Sequence, residues 1–189
     1  MLNEFANREE VLCIGDGKSD VTLELINEKL QEVTFADNLR IDINAHGDRD
    51  DQKQQHIHLE LSYLIKTEDF LEQFKNLLLK HSGKQELTGE WHLWSCFGGS
   101  ANKAAHILGK GNTLITNVNS KSTAASGLEN YTIKKSLENY LKNPEKDIYT
   151  RWVEERKYSF QSSTFNFNPT SDPKDTIHLK TARTLKPET

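Results

Sequence analysis

The sequence is poor in cysteine, in proline and in long apolar runs, and each shortage excludes a class of protein. The 189 residues include two cysteines, Cys13 and Cys96, too few for a disulfide scaffold. No window is long enough for a membrane span, and the N-terminus lacks the apolar run of a secretory signal. We therefore predict a cytoplasmic protein, or one exported without a cleaved signal peptide.

An excess of positive charge is also absent. Lysine and arginine number 24 against 28 aspartates and glutamates, so the formal net charge is −4. Proteins that bind nucleic acid present clusters of basic residues to the phosphate backbone, and the chain has no such cluster. We therefore expect no nucleic-acid partner.

Strand and helix patterns alternate along most of the chain. Short apolar runs predict strands at "VLCIG", "LRIDIN", "EWHLWSC" and "NTLITNV", and "HIHLELSYLI" is typical of two further strands. Helical periodicity marks "DVTLELINEKL", a helix capped by Thr67, and "ENYTIKKSLENYLKN". This order predicts an α/β fold whose mostly parallel sheet has helices on both faces.

Residue 160 marks a change in composition. The stretch from residue 161 to residue 189 holds three of the four prolines and few apolar side chains. We predict that residues 1–160 form an α/β domain and that residues 161–189 form a strand-and-loop extension and tail of the same domain.

Two side chains that can take part in catalysis, an imidazole and a thiol, lie at predicted strand ends. His46 follows one apolar strand in "NAHG", and Cys96 ends another in "WSCFGG". The carboxyl ends of parallel strands gather ligands at one edge of a sheet, so we expect these side chains to lie close together. An imidazole beside a thiol can take up its proton, and Gly47 leaves room for a substrate backbone.

These residues resemble the caspase-like, clan CD cysteine peptidases. The resemblance lies in an apolar strand ending in His-Gly, a helix, and a second apolar strand ending in Ser-Cys before Gly98. His46 and Cys96 stand 50 residues apart, close to the spacing typical of caspases. The preceding segment "HLELSYLIKTEDFLEQF" favours a resemblance to bacterial CHAT-type proteases or to the self-processing domains of bacterial toxins.

The resemblance implies a caspase/hemoglobinase-like fold and a hydrolase, a cysteine endopeptidase that acts on peptide or protein substrates. It makes Cys96 the nucleophile and His46 the general acid/base, with the backbone amides of Gly47 and Cys96 as the oxyanion hole. It requires no metal and no organic cofactor. It also implies a bacterial effector that could process itself.

Other functions stay open. A non-catalytic protein-interaction module could use the same scaffold with a vestigial dyad. A phosphate-handling enzyme centred on "GDGKSD" is weaker, because the segment lacks the upstream glycine of a P-loop. His56 and His58 share a strand face, but they lack further ordered ligands, so we expect a solvated surface there and no metal.

Overall fold

A five-stranded sheet organises the chain in the computed structural model, which describes residues 11–15, 20–60, 63–96, 98–116, 128–155, 164–170, 172–175 and 177–180. The strands of this main sheet follow the order β1 (Asn38–Asn44), β5 (Thr88–Trp94), β6 (Asn112–Thr116), β7 (Thr164–Asn168) and β8 (Ile177–Lys180). The first two pairings, β1 with β5 and β5 with β6, are parallel, whereas the last two are antiparallel. The fold is therefore mixed α/β.

The sheet was predicted to be mostly parallel, and it is parallel across its first three strands only. Strands β7 and β8 follow residue 160, and residues 169–176 connect them. A connection this short joins antiparallel neighbours, whereas a parallel pair needs a longer crossover. The extension therefore completes the main sheet with a hairpin.

A smaller antiparallel sheet contains β2 (Gly47–Arg49), β3 (Gln55–Glu60) and β4 (Tyr63–Lys66), in that order. Its side chains alternate between buried and exposed, as the pleat requires. Gln55, Ile57 and Ile65 are buried, whereas Leu64 and Lys66 are exposed. One face of this small sheet therefore meets the core and the other meets solvent.

Five helices accompany the sheets in the described part of the chain. They are α1 (Leu23–Lys29), α2 (Thr67–Ser82), α3 (Ala105–Leu108), α4 (Leu128–Lys142) and α5 (Ile148–Glu155). The side chain of Thr22 caps α1 by accepting a hydrogen bond of 3.1 Å from the amide of Leu25. Gly83 ends α2 in the left-handed conformation, with φ of 66°, which glycine adopts without strain.

Helices contact both faces of the main sheet. On one face, Phe74 of α2 packs edge-on against Trp91 of β5, with 5.8 Å between ring centroids. On the other face, Ser136 of α4 accepts a hydrogen bond from Arg40 of β1. Arg40 and Ile41 are neighbours on one strand, and Ile41 lies opposite Trp91, so the pleat sends the two contacts to opposite sides.

Two local sequence predictions were wrong. Val11–Gly15 is not a buried strand: the segment has no regular secondary structure, and its Leu12 is 45% exposed. Thr67 does not cap α2 from outside, because it is the first helical residue and its hydroxyl points inward, donating a hydrogen bond of 3.3 Å to Oε1 of Gln55. Lys66 occupies the N-cap position.

In the described segments, no helix combines the length and the apolar character that a membrane crossing needs.

Candidate functional site

The carboxyl ends of β1 and β5 meet at one edge of the main sheet. The strands run parallel with Asn44 opposite Trp94, and the amide of Ala45 donates to the carbonyl of Trp94 over 3.2 Å. His46 and Cys96 each lie two residues after one of these paired strand ends. His46 is exposed and Cys96 is half-buried. The structure therefore brings the two segments together, and the close approach of the two side chains stays a prediction.

Gly47 allows the small sheet to approach this edge closely. A Cβ atom at Gly47 would overlap the hydroxyl oxygen of Ser95 and the carbonyl oxygen of Cys96. Any larger residue would push β2 away from the end of β5. The oxyanion-hole role predicted for the amides of Gly47 and Cys96 stays a prediction, whereas the close packing accounts for the glycine by itself.

Gln55 ties the two sheets together, and the sequence analysis missed it. Its Nε2 donates to the carbonyl of Cys96 over 2.7 Å and to Oγ of Ser95 over 3.2 Å. Its Oε1 accepts from the hydroxyl of Thr67. Gln55 is hard to single out in the sequence because it belongs to the polar run "DQKQQ". Counting back by two from the buried Ile57 would have placed it on the inner face.

Three histidines and one leucine share the solvent face of the small sheet. We call this surface the histidine face, and it comprises His46, His56, His58 and Leu64. The rings of His46 and His58 meet edge to face, with centroids 6.4 Å apart. Nε2 of His56 lies 4.0 Å from a carboxylate oxygen of Asp50. In the part of the chain that the structure describes, no three His, Cys, Asp or Glu side chains are grouped so as to hold a metal ion.

The second cysteine lies away from this edge. Cys13 belongs to the irregular N-terminal segment and is half-buried. Burial raises the pKa of its thiol, which favours the protonated, unreactive form. The segment "GDGKSD", considered as a phosphate site, continues from Gly15 into residues 16–19, which lie outside the described residues.

A buried cluster of charged side chains lies between the main sheet and helices α4 and α5. We call it the charged layer: Arg40, Asp42, Glu90, His92 and Arg151. Arg151 of α5 donates to both carboxylate oxygens of Glu90, over 2.8 and 2.9 Å. Arg40 binds Asp42 in the same bidentate way, over 2.7 and 3.0 Å, and lies 3.6 Å from Glu90.

Aromatic side chains enclose this layer. The Tyr140 ring contacts both guanidinium groups, with its centroid 5.2 Å from that of Arg40 and 4.9 Å from that of Arg151. Nε1 of Trp94 donates to Asp42 over 2.9 Å. Cation–π contacts and charge-assisted hydrogen bonds offset the cost of burying ions.

The environment lowers the pKa of both carboxyl groups in the layer. Burial alone raises the pKa of Asp42, but the charge of Arg40 and hydrogen bonds from Arg40 and Trp94 outweigh it. Burial likewise raises the pKa of Glu90, and the contacts with His92, Arg151 and Arg40 outweigh it by a wide margin. Both groups are therefore carboxylates at neutral pH.

The sequence analysis missed this layer. It assigned no role to His92, which is buried with Nε2 3.6 Å from Oε1 of Glu90 and its ring stacked on Trp94. Arg151 is also buried, at 4% exposed, and its partner is Glu90.

Comparison with known proteins adds one relative. Over 181 residues the chain is 30% identical to a putative ankyrin repeat protein of Rickettsia bellii. The match covers 94% of this chain and 21% of that protein, so the chain spans about a fifth of the length of the curated relative it matches. No family model matches the chain. No solved structure matches it.

This relative overturns the peptidase interpretation. The resemblance to caspase-like clan CD peptidases predicted a relative among cysteine peptidases, and the match is instead to a protein named for ankyrin repeats. The assignments as a cysteine endopeptidase, a thiol protease and a bacterial effector were therefore wrong. The strand-end geometry that suggested them is real, but a histidine and a cysteine at neighbouring strand ends do not define a peptidase.

Proposed function

We propose that this chain is a protein-interaction module built on an α/β scaffold. The observation that carries the proposal is the 30% identity to a putative ankyrin repeat protein. Ankyrin repeats stack into extended surfaces that proteins use for binding. The described residues form sheets flanked by helices, not stacked helix pairs, so the binding surface must be sought on this fold.

The histidine face is the surface best suited to bind a partner. Leu64 is 46% exposed on β4, and the imidazoles of His46, His56 and His58 present groups on the same face that donate and accept hydrogen bonds. An exposed apolar residue beside polar groups is suited to a binding patch. Gln55 and Gly47 hold this face firmly to the main sheet, so it is preorganised for binding.

Site-specific cross-linking tests the proposal. A benzophenone side chain placed at Leu64 should yield a discrete cross-linked partner in the cells that produce the protein. Tyr149 is a matched control, because it is 44% exposed but lies on α5. A product that forms equally well from both positions, or from neither, would contradict the assignment of the binding surface.

Thiol labelling tests whether the module is non-catalytic. If His46 does not activate Cys96, iodoacetamide should modify Cys96 at the same rate in the parent protein and in His46→Ala. Peptide mass spectrometry separates this label from that on Cys13. A clear slowing in His46→Ala would mean that the imidazole activates the thiol, and the module interpretation would fail.

A further inference from the structure

The hydrogen-bond pattern of the small sheet shows towards which neighbouring strand each residue directs its N–H and C=O groups. The amide of His58 donates to the carbonyl of His46 over 2.9 Å, and the amide of Asp50 donates to the carbonyl of Gln54 over 3.1 Å. Even-numbered residues of β3 therefore bond towards β2. In an antiparallel ladder the direction alternates, so the odd-numbered Ile57 bonds towards β4.

This alternation leaves the main-chain groups of two β4 residues pointing away from the sheet. Ile65 lies opposite Ile57 and bonds to it, whereas Leu64 lies opposite His58 and Lys66 opposite His56. Since His58 and His56 bond towards β2, the N–H and C=O of Leu64 and the N–H of Lys66 turn outward. They form the outer edge of β4.

The two outer strands of the small sheet differ. Gly47 of β2 packs through its inner face against Ser95 and Cys96, so this strand lies against the end of β5. Strand β4 is the last strand of its sheet as described, and the side chains of Leu64 and Lys66 are both exposed. Of the two, β4 is therefore the edge that another strand can reach.

We propose that an extended segment of a partner protein adds to the outer edge of β4 as a fourth strand. The inference rests on the proposed function and names its mode of binding. An extended chain supplies the alternating N–H and C=O groups that satisfy Leu64 and Lys66, which a helix cannot do. Side-chain contacts with the same two residues then select the sequence that binds.

The exposed side chains define the chemistry of the partner segment. Leu64 favours an apolar residue beside it, and the ammonium of Lys66 favours a carboxylate at the neighbouring position on the same face. Glu68 and Asp69 follow Lys66 in the first turn of α2, so they repel additional acids beyond that position. A lysine on an edge strand also discourages unselective pairing, and a matching carboxylate makes the contact selective.

A phage-displayed library of short random peptides tests the inference. We expect enriched peptides to carry an apolar residue and one Asp or Glu two positions apart, because Leu64 and Lys66 share one face of β4. On binding, the Leu64 amide should change from fast to slow hydrogen exchange, while the Ile65 amide is slow in both states. Leu64→Pro should weaken binding at least about tenfold, because it deletes the outward N–H.

Controls separate the backbone contact from a folding defect. Leu64→Pro removes no hydrogen bond among the described residues, so its melting temperature should stay near that of the parent, and Leu64→Thr should keep the backbone contact and lose only the apolar one. If the proline variant does not fold, a charge exchange replaces it. Lys66→Glu should reject the acidic peptide and accept the same peptide with lysine in place of the acid.

Three results would overturn the inference. They are peptides that bind Leu64→Pro and Lys66→Glu as well as the parent, a library that yields no binder, and self-association of the chain through β4. Peptides that protect amides on another surface would contradict this docking site and leave the interaction module standing. Cross-linking from Leu64 that fails to find any partner would instead count against the proposed function.

Discussion

The two faces of the main sheet are buried by opposite chemistry. Towards α2, the side chains of Ile41, Trp91 and Leu93 join the leucines and phenylalanines of the helix in one apolar core. Towards α4 and α5, the alternate residues of the same strands are Arg40, Asp42, Glu90 and His92. The two sets belong to the same strands, so the pleat alone separates them.

The difference teaches that the two helical layers are held in different ways. Apolar contacts are not directional and tolerate small shifts, whereas the bidentate pair of Arg151 with Glu90 and the hydrogen bond from Arg40 to Ser136 are directional and hold α5 and α4 to the sheet. The apolar cluster on the α5 side is small: buried Ile115 and Trp152, with Ile148 and Val153 packed against them. Correct placement of α5 therefore depends mainly on Glu90 and Arg151.

The largest predicted effect comes from breaking the ion pair on the charged face. Arg151→Met leaves the carboxylate of Glu90 buried without its main partner, and we expect a loss of about 3–5 kcal/mol of unfolding free energy in urea titrations. Lys146→Met is the control, because Lys146 and Glu154 form a 2.7 Å pair that is about a third exposed. Its loss should be below about 1 kcal/mol.

A double variant then shows what the charges contribute. Arg151→Met combined with Glu90→Leu removes both ions, and Arg40 keeps its bonds to Asp42. Replacing a buried ion pair with apolar side chains is often neutral, so the double variant should regain most of the stability lost in the single one. A double variant as unstable as Arg151→Met would mean that the pair is net stabilising.

On the apolar face a single substitution should cost slightly less. Leu71 of α2 is fully buried, and Leu71→Ala leaves a cavity that should lower the unfolding free energy by about 2–5 kcal/mol. Leu64→Ala is the control, because the exposed Leu64 should change stability by no more than about 0.5 kcal/mol. Equal losses in the two variants would contradict the burial of Leu71.

The apolar face of the main sheet was predictable from the sequence, whereas the burial of the charged face was not. Alternation in "LRIDIN" identified Leu39, Ile41 and Ile43 as inward residues, but it also makes Arg40 and Asp42 look solvent-exposed. Arg40 is buried because its partners Ser136 and Tyr140 come about a hundred residues later, and Asp42 is buried because it binds Arg40 and Trp94. Such long-range pairs leave no periodic signal in a strand.

The candidate site was predicted in part for a similar reason. The rule that ligands gather at the carboxyl ends of parallel strands correctly brought the His46 and Cys96 segments together, because both follow strong apolar strands. It gave no information on Gln55, whose contacts with Ser95 and Cys96 depend on how the small sheet folds back. Nor could it decide chemistry, because strand ends position residues without assigning them a reaction.

The smallest expected effect is on the pH dependence of stability, because lowering the pH should weaken the charged face and leave the apolar face unchanged. Asp42 and Glu90 have pKa values below their ordinary range in the folded protein, so their contribution is present at neutral pH and is lost as the pH falls below about 4. The urea midpoint of the parent should therefore decline with acidification, and that of Arg151→Met/Glu90→Leu should decline less. Leu71→Ala should lower the midpoint at every pH without changing the slope. Exposed carboxylates such as Asp37 and Asp147 are common to all three proteins, so their effect cancels in the comparison. Equal pH slopes in the parent and the double variant would show that the charged layer does not stabilise the fold through its carboxylates.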